Sequence, residues 1–131
     1  MQKGFEAGFV PKLTDEGTSG TYLLRGPKGE DLAVFKPIDE EQFAPHNPRS
    51  YVSSFGSATF RAGVLSGEAT IREHAAFLLD HGGFAGVPST ALAMIEHSSL
   101  LESSNTGRRE ADTISCSTFS TPSSFYLNRT G

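Results

Sequence analysis

Two short β-prone arms, Thr21-Tyr22-Leu23-Leu24-Arg25 and Glu30-Asp31-Leu32-Ala33-Val34-Phe35-Lys36, flank the turn signal Gly26-Pro27-Lys28-Gly29. Arms of this composition suit a pleated, half-buried surface, and the Gly/Pro turn predicts that they pair as an antiparallel hairpin. Pro37 lacks a backbone donor and is predicted to end the ladder pairing of the second arm. A glycine-rich turn, Gly17-Thr18-Ser19-Gly20, sits directly ahead of the first arm, and Lys36 closes the second. Side chains alternate faces along a strand, so Leu32, Val34 and Lys36 share one face and Ala33 and Phe35 the other.

This layout has a chemical use. A glycine-rich loop can bend its backbone N–H groups over phosphates while a lysine from the next strand pairs with their oxygens, as in kinase-type ATP sites. The loop is no Walker A, because no Gly-Lys-Ser/Thr follows, and no dinucleotide fingerprint, because a strand rather than a helix follows it. Alone, Gly17-x-x-Gly20 equally describes an ordinary turn. Lys36 alone equally describes a strand-end lysine reaching into solvent. If Lys36 faces a nucleotide, Val34 on the same face would roof the adenine. A phosphate-binding lysine also needs a carboxylate to hold its ammonium in place.

Residues 68–81 are the best helix candidate, preceded by Ser66-Gly67 and stopped by Gly82-Gly83. Ile71, Ala75, Leu78 and Leu79 form its main apolar stripe. Ala69, Ala76 and Phe77 lie on other faces, which predicts burial on two sides. Glu68 sits in the first turn, where a carboxylate favours the helix dipole. Glu73 lies mid-helix beside apolar residues, where burial would demand a cationic partner, and is the preferred mate for Lys36. The other reading of Glu73 is an exposed pair with Arg72.

The remaining segments are less patterned. A short strand is possible near Phe9, Val10 and Leu13. Residues 37–66 read as a long connection, with Asp39-Glu40-Glu41 solvated, helix forbidden around Pro45, Asn47 and Pro48, and residues 50–59 loosely ordered. Residues 90–97 read as a strand. His46, His74, His81 and His97 are too scattered for a metal site, and His74 and His81 are expected to be exposed. Residues 98–131 are rich in Ser and Thr without a hydrophobic period, so they are expected to be disordered, or to form at most strand fragments around Phe119 and Phe125-Tyr126-Leu127.

Bulk properties exclude some functions. At 131 residues the chain has room for one core. A net charge of −4 argues against broad nucleic-acid binding, which needs clustered Lys and Arg. A lone cysteine, Cys116, rules out an intramolecular disulfide and fits a reducing, cytoplasmic setting. No signal-peptide pattern and no transmembrane run is present, so membrane contact would be peripheral. Asn128-Arg129-Thr130 fits a glycosylation sequon, but no secretion signal accompanies it.

Together these segments resemble a known family. Gly17-Thr18-Ser19-Gly20-Thr21-Tyr22, Ala33-Val34-Phe35-Lys36-Pro37-Ile38-Asp39-Glu40-Glu41, Ala44-Pro45-His46-Asn47-Pro48-Arg49, residues 67–81 and Gly86-Val87-Pro88-Ser89-Thr90 resemble phosphatidylinositol 4-kinases. The nearest group is the plant gamma type, the ubiquitin-like-domain kinases of the phosphatidylinositol 3-/4-kinase superfamily. The resemblance implies an α+β fold: the small N-terminal lobe of a protein-kinase-like fold, an antiparallel sheet with one packed helix. It implies a partial catalytic domain over residues 1–97. It further implies ATP-dependent phosphoryl transfer to the 4-hydroxyl of phosphatidylinositol at a membrane surface, with Mg²⁺ or Mn²⁺ in the complete enzyme. Ser19, Gly20 and Thr21 would belong to the phosphate loop, Lys36 would be the ATP lysine, and Glu73 its helix glutamate.

The resemblance stops there. The family's catalytic loop and metal-binding Asp-x-Gly segment should come about a hundred residues downstream of the lysine and glycine-loop region, and no such pattern is found there, since Asp112-Thr113-Ile114 lacks the glycine. No catalytic and no metal-binding residue is therefore assigned. The expectation is an incomplete enzyme without turnover of its own. The alternatives are a non-catalytic nucleotide-binding or interaction fragment, or a protein kinase of the same superfamily.

Overall fold

The computed structural model describes residues 10–93 and 117–120. Strand β1 (Lys12–Leu13), β2 (Tyr22–Arg25), β3 (Asp31–Pro37), helix α1 (Ala69–Leu79), β4 (Leu92–Ala93) and β5 (Ser117–Ser120) follow in chain order. All strand pairs are antiparallel, and the sheet runs β1-β2-β3-β5-β4.

The hairpin forms where the sequence places it. Tyr22 lies opposite Phe35 and Leu24 opposite Ala33, with a register irregularity between Leu24 and Arg25. Gly29 closes the turn in the left-handed region (φ 79°), donating to the Gly26 carbonyl at 2.9 Å. Alternation along β3 buries Ala33, Phe35 and Pro37 and leaves Leu32, Val34 and Lys36 half-buried. The strand ends at Pro37, as its missing donor predicts. Pro37 is paired opposite Ser117.

Among the described residues the apolar core consists of Tyr22, Leu24, Ala33 and Phe35, with Leu13 and Ala93 packed against it. The Tyr22 and Phe35 rings sit 6.4 Å apart in a tilted arrangement. Helix α1 lies against β5.

Three expectations need correction. The acidic run is buried, not solvated: Asp39, Glu40 and Glu41 are 1%, 0% and 4% exposed. Each has found a partner. The Asp39 carboxylate lies 3.1 Å from His46 Nδ1, and Tyr22 Oη donates to Glu40 Oε2 at 2.6 Å. Glu41 accepts from backbone amides at the start of α1.

The helix is also oriented differently. It turns Thr70, Glu73, His74 and Phe77 inward, while Ile71, Leu78 and Leu79 of the apolar stripe are exposed. His74 is half-buried, its Nδ1 lying 3.2 Å from the Thr90 carbonyl oxygen.

The connection after β3 is tied down rather than loose. Asn47 Oδ1 accepts from the amides of Arg49 and Tyr51, and Phe43 N donates to the Tyr51 carbonyl at 2.7 Å. The rings of Phe43, Tyr51 and Phe60 make mutual edge contacts with centroids 5.2–5.9 Å apart. Phe43 adopts φ 60°, a left-handed conformation uncommon for an aromatic residue, held between these contacts.

Residues 94–97 of the expected last strand lie outside the described residues, as does the tail apart from Ser117–Ser120. That segment, the fragment anticipated around Phe119, pairs with both β3 and β4.

Candidate functional site

The glycine loop bridges β1 and β2. Thr14 N donates to Thr21 O at 2.8 Å and closes its base. Gly20 is dictated by a close approach. Its amide donates to Glu40 O at 2.8 Å, and a Cβ there would lie 2.1 Å from Glu40 Oε2. Gly17, at φ 103°, holds a left-handed conformation that glycine adopts without penalty.

The loop is fastened from behind by side chains that the sequence did not mark. Asn47 Nδ2 donates to Thr18 O at 2.7 Å, and also to the carbonyls of Glu40 and Glu41. Arg49 Nε donates to Ser19 O at 2.9 Å, and its Nη2 reaches the Thr14 carbonyl. Gln42 Nε2 donates to Thr18 Oγ1 at 2.9 Å, and Gln42 N donates to Ser19 Oγ at 3.1 Å. No local pattern marked these roles, because they follow from the burial of the preceding turn, where a polar group must find backbone partners.

Lys36 leaves the end of β3 on the half-buried face and donates from Nζ to Glu73 Oε1 at 2.6 Å. Their side chains are 35% and 41% exposed, so the contact is a partly solvated ion pair. Arg72, the other possible mate for Glu73, pairs instead with Glu68 one turn back, at 3.0 Å. That contact and the Leu65 amide hold the Glu68 carboxyl below its usual range, the amide contributing more.

Between the glycine loop, Lys36 and the start of α1 lies a cavity of about 190 Å³. Ser19, Gly20, Thr21, Lys36 and Glu73 all line it, together with Thr70. Val34, two residues before Lys36 on the same face, is not among the lining residues and sits opposite Leu23 in the sheet. Among the described residues Lys36 is the one cation of the lining. Thr70 Oγ1 is buried without a hydrogen-bond partner among the described residues.

A larger cleft of about 720 Å³ adjoins this cavity, sharing Thr18, Ser19, Glu41, Ala69 and Glu73 with it and extending to Arg61 and Ala76. Among the described residues no group of three or more His, Cys, Asp or Glu could hold a metal ion. No helix of the described residues is long and apolar enough to cross a membrane.

Comparison with known proteins finds relatives named phosphatidylinositol 4-kinase gamma. Over 97 residues, 73% of this chain, it is 44% identical to phosphatidylinositol 4-kinase gamma 7 of Arabidopsis thaliana. It is 46% identical over 92 residues to phosphatidylinositol 4-kinase gamma 8 of the same plant, and 41% identical over 105 residues to phosphatidylinositol 4-kinase gamma 4 of Oryza sativa subsp. japonica. These matches span only 15%, 17% and 19% of the relatives' own lengths. No protein-family model matches the chain, and no solved structure matches it.

Proposed function

We propose that this chain forms the ATP-phosphate-binding part of a kinase of the plant phosphatidylinositol 4-kinase gamma kind. The observation that carries the reading is the Lys36–Glu73 pair at the edge of a cavity walled by the glycine loop. In kinase-type sites a strand lysine held by a helix glutamate engages the phosphates beneath a glycine-rich loop. The similarity to proteins named for that activity supports the same assignment.

The residues present fit the polyphosphate. Lys36 supplies an ammonium for phosphate oxygens at the cavity wall. The cavity suits phosphates rather than a whole nucleotide, since sites for complete ligands of that size hold about 300–1,000 Å³. The adjoining cleft leaves room beyond it. When bound, ATP supplies the transferable γ-phosphoryl group. This chain's own part is to hold and orient the phosphates: Glu73 keeps Lys36 aimed at the cavity, and Asn47 and Arg49 keep the loop in place. The described residues assign no ligand set for Mg²⁺ or Mn²⁺, and no step is derived through a metal.

Transfer to the 4-hydroxyl of phosphatidylinositol, at a membrane reached from the cytoplasm, is proposed for the longer protein of which the relatives are examples. A nucleotide-binding role without turnover is the second reading, favoured by Asp112-Thr113-Ile114, which lacks the glycine of the family's downstream metal-binding segment. Radiolabelled ATP offered with phosphatidylinositol vesicles and with a protein acceptor separates these readings. The account expects ATP-dependent thermal stabilisation, lost in Lys36→Ala, and no labelled product from this chain alone. Labelled lipid that depends on Lys36 would show a complete enzyme, labelled protein would show a protein kinase, and no thermal shift at millimolar ATP would overturn nucleotide binding.

A further inference from the structure

We infer that Glu41 and Gln42 are positioning residues that lock the glycine loop to the start of α1, so that Glu73 meets Lys36. The consequence for phosphate binding rests on the reading above; the positioning itself rests on geometry alone.

A helix leaves its first amides without intrahelical partners, and a residue at its start commonly satisfies them. Here the local residue does not. Glu68 occupies the N-cap position without a side-chain capping bond, and α1 has no acidic residue in its first turn. The cap comes from Glu41, which is distant in sequence. Its Oε2 accepts from Gly67 N at 2.8 Å and Ala69 N at 3.2 Å, and its Oε1 accepts from Thr70 N at 2.8 Å. Both carboxyl oxygens are thus used on one helix end, where negative charge also complements the helix dipole. Glu73 lies three residues beyond Thr70, on the same helix face.

The neighbouring residue points the other way. Gln42 makes two contacts with the glycine loop, through Thr18 Oγ1 and Ser19 Oγ, and its Oε1 accepts from Phe60 N at 2.6 Å. A single planar peptide unit joins the helix cap to the loop clasp. Four residues separate Lys36 from Glu41, and the 3₁₀ turn Ile38–Glu40 makes that path compact. This dipeptide therefore links all three parts of the candidate site, alongside the bonds of Asn47 and Arg49 to the loop carbonyls. A cap acting only on helix stability would not require its neighbour to hold the loop.

The test uses the full chain and two readouts. The first is the nitrogen-15 signal of the Lys36 ammonium, recorded without nucleotide. Glu41→Gln and Gln42→Ala are expected to move it toward the position found in Glu73→Gln, with melting temperature recorded for each variant. The second is ATP affinity. Each variant is expected to weaken it by about tenfold, and neither to weaken it further when Glu73→Gln is already present. A Lys36 signal unchanged in both variants, or losses of affinity that add fully to that of Glu73→Gln, would overturn the inference. If Glu41→Gln does not fold, Gln42→Ala decides, because it leaves the helix cap in place. A wild-type chain that binds no ATP overturns the nucleotide reading, while the Lys36 signal still decides the positioning.

Discussion

Lys36 at the end of β3 and Glu73 in the second turn of α1 meet at 2.6 Å, although they lie 37 positions apart in the chain. The contact joins sheet to helix at the rim of the cavity beneath the glycine loop. Both partners are more than one-third exposed, so solvent screens much of their attraction. Partly solvated pairs of this kind contribute about 0.2–1 kcal/mol. Lys36→Met should therefore lower stability by less than about 1 kcal/mol, as read by urea unfolding. A much larger loss would mean that the pair is structural first.

Gly20 should tolerate no side chain. Its Cβ would fall 2.1 Å from Glu40 Oε2 and 2.7 Å from Glu40 Cβ, and Glu40 is fully buried against Tyr22. Relief would require Glu40 or the loop backbone to move, at a cost of about 1–3 kcal/mol by analogy with overpacked cores. Gly20→Ala should show this as a lowered denaturation midpoint with an unchanged denaturant slope.

Asn47 fastens the connection at five points: three carbonyls take its amide hydrogens, and two amides donate to its Oδ1. Asn47→Asp keeps the acceptor and removes the donors, placing a carboxyl against the carbonyls of Thr18, Glu40 and Glu41. Loss of buried bonds of this kind costs about 1–3 kcal/mol each, so Asn47→Asp should destabilise more than Arg25→Ala, which removes only an exposed pair. Thermal unfolding of the two variants side by side checks the order.

Asp80 follows α1 and accepts from the amides of Ala85 at 2.7 Å and Val87 at 2.9 Å. These bonds, Ala85 first, hold its carboxyl below the usual aspartate range. The stabilisation they bring is present above the ordinary value and is lost as pH falls through the lowered folded-state value. Asp80→Asn should therefore flatten that part of the acid unfolding profile, measured by circular dichroism. A profile identical to wild type would contradict the assignment.

The hairpin and its lysine were legible because period-two alternation and a Gly-Pro turn are local signals. Glu73 was legible because a carboxylate among apolar helix residues calls for a cation, even though the helix stripe pointed elsewhere. The acids Asp39, Glu40 and Glu41 were not. Three consecutive carboxylates read as solvated, and their burial depends on Tyr22, His46 and the amides of α1, which only the fold brings to them. The orientation of α1 was hidden for a similar reason. Ile71, Leu78 and Leu79 define a stripe, but the inward face carries Thr70, Glu73 and His74, and the last two meet Lys36 and the Thr90 carbonyl. The Ser/Gly-rich connection looked loose because its order comes from Asn47 and from rings at Phe43, Tyr51 and Phe60 that no short window reveals.

The central claim is that Lys36, under the glycine loop, receives nucleotide phosphates. Calorimetric titration of ATP into the wild-type chain and into Lys36→Ala tests it most directly. The account predicts saturable binding by wild type, weakened about tenfold or more in Lys36→Ala, the loss expected from one charge-assisted contact of ~1.4 kcal/mol. Equal affinity in the two proteins, or no binding by wild type at millimolar ATP, would contradict it.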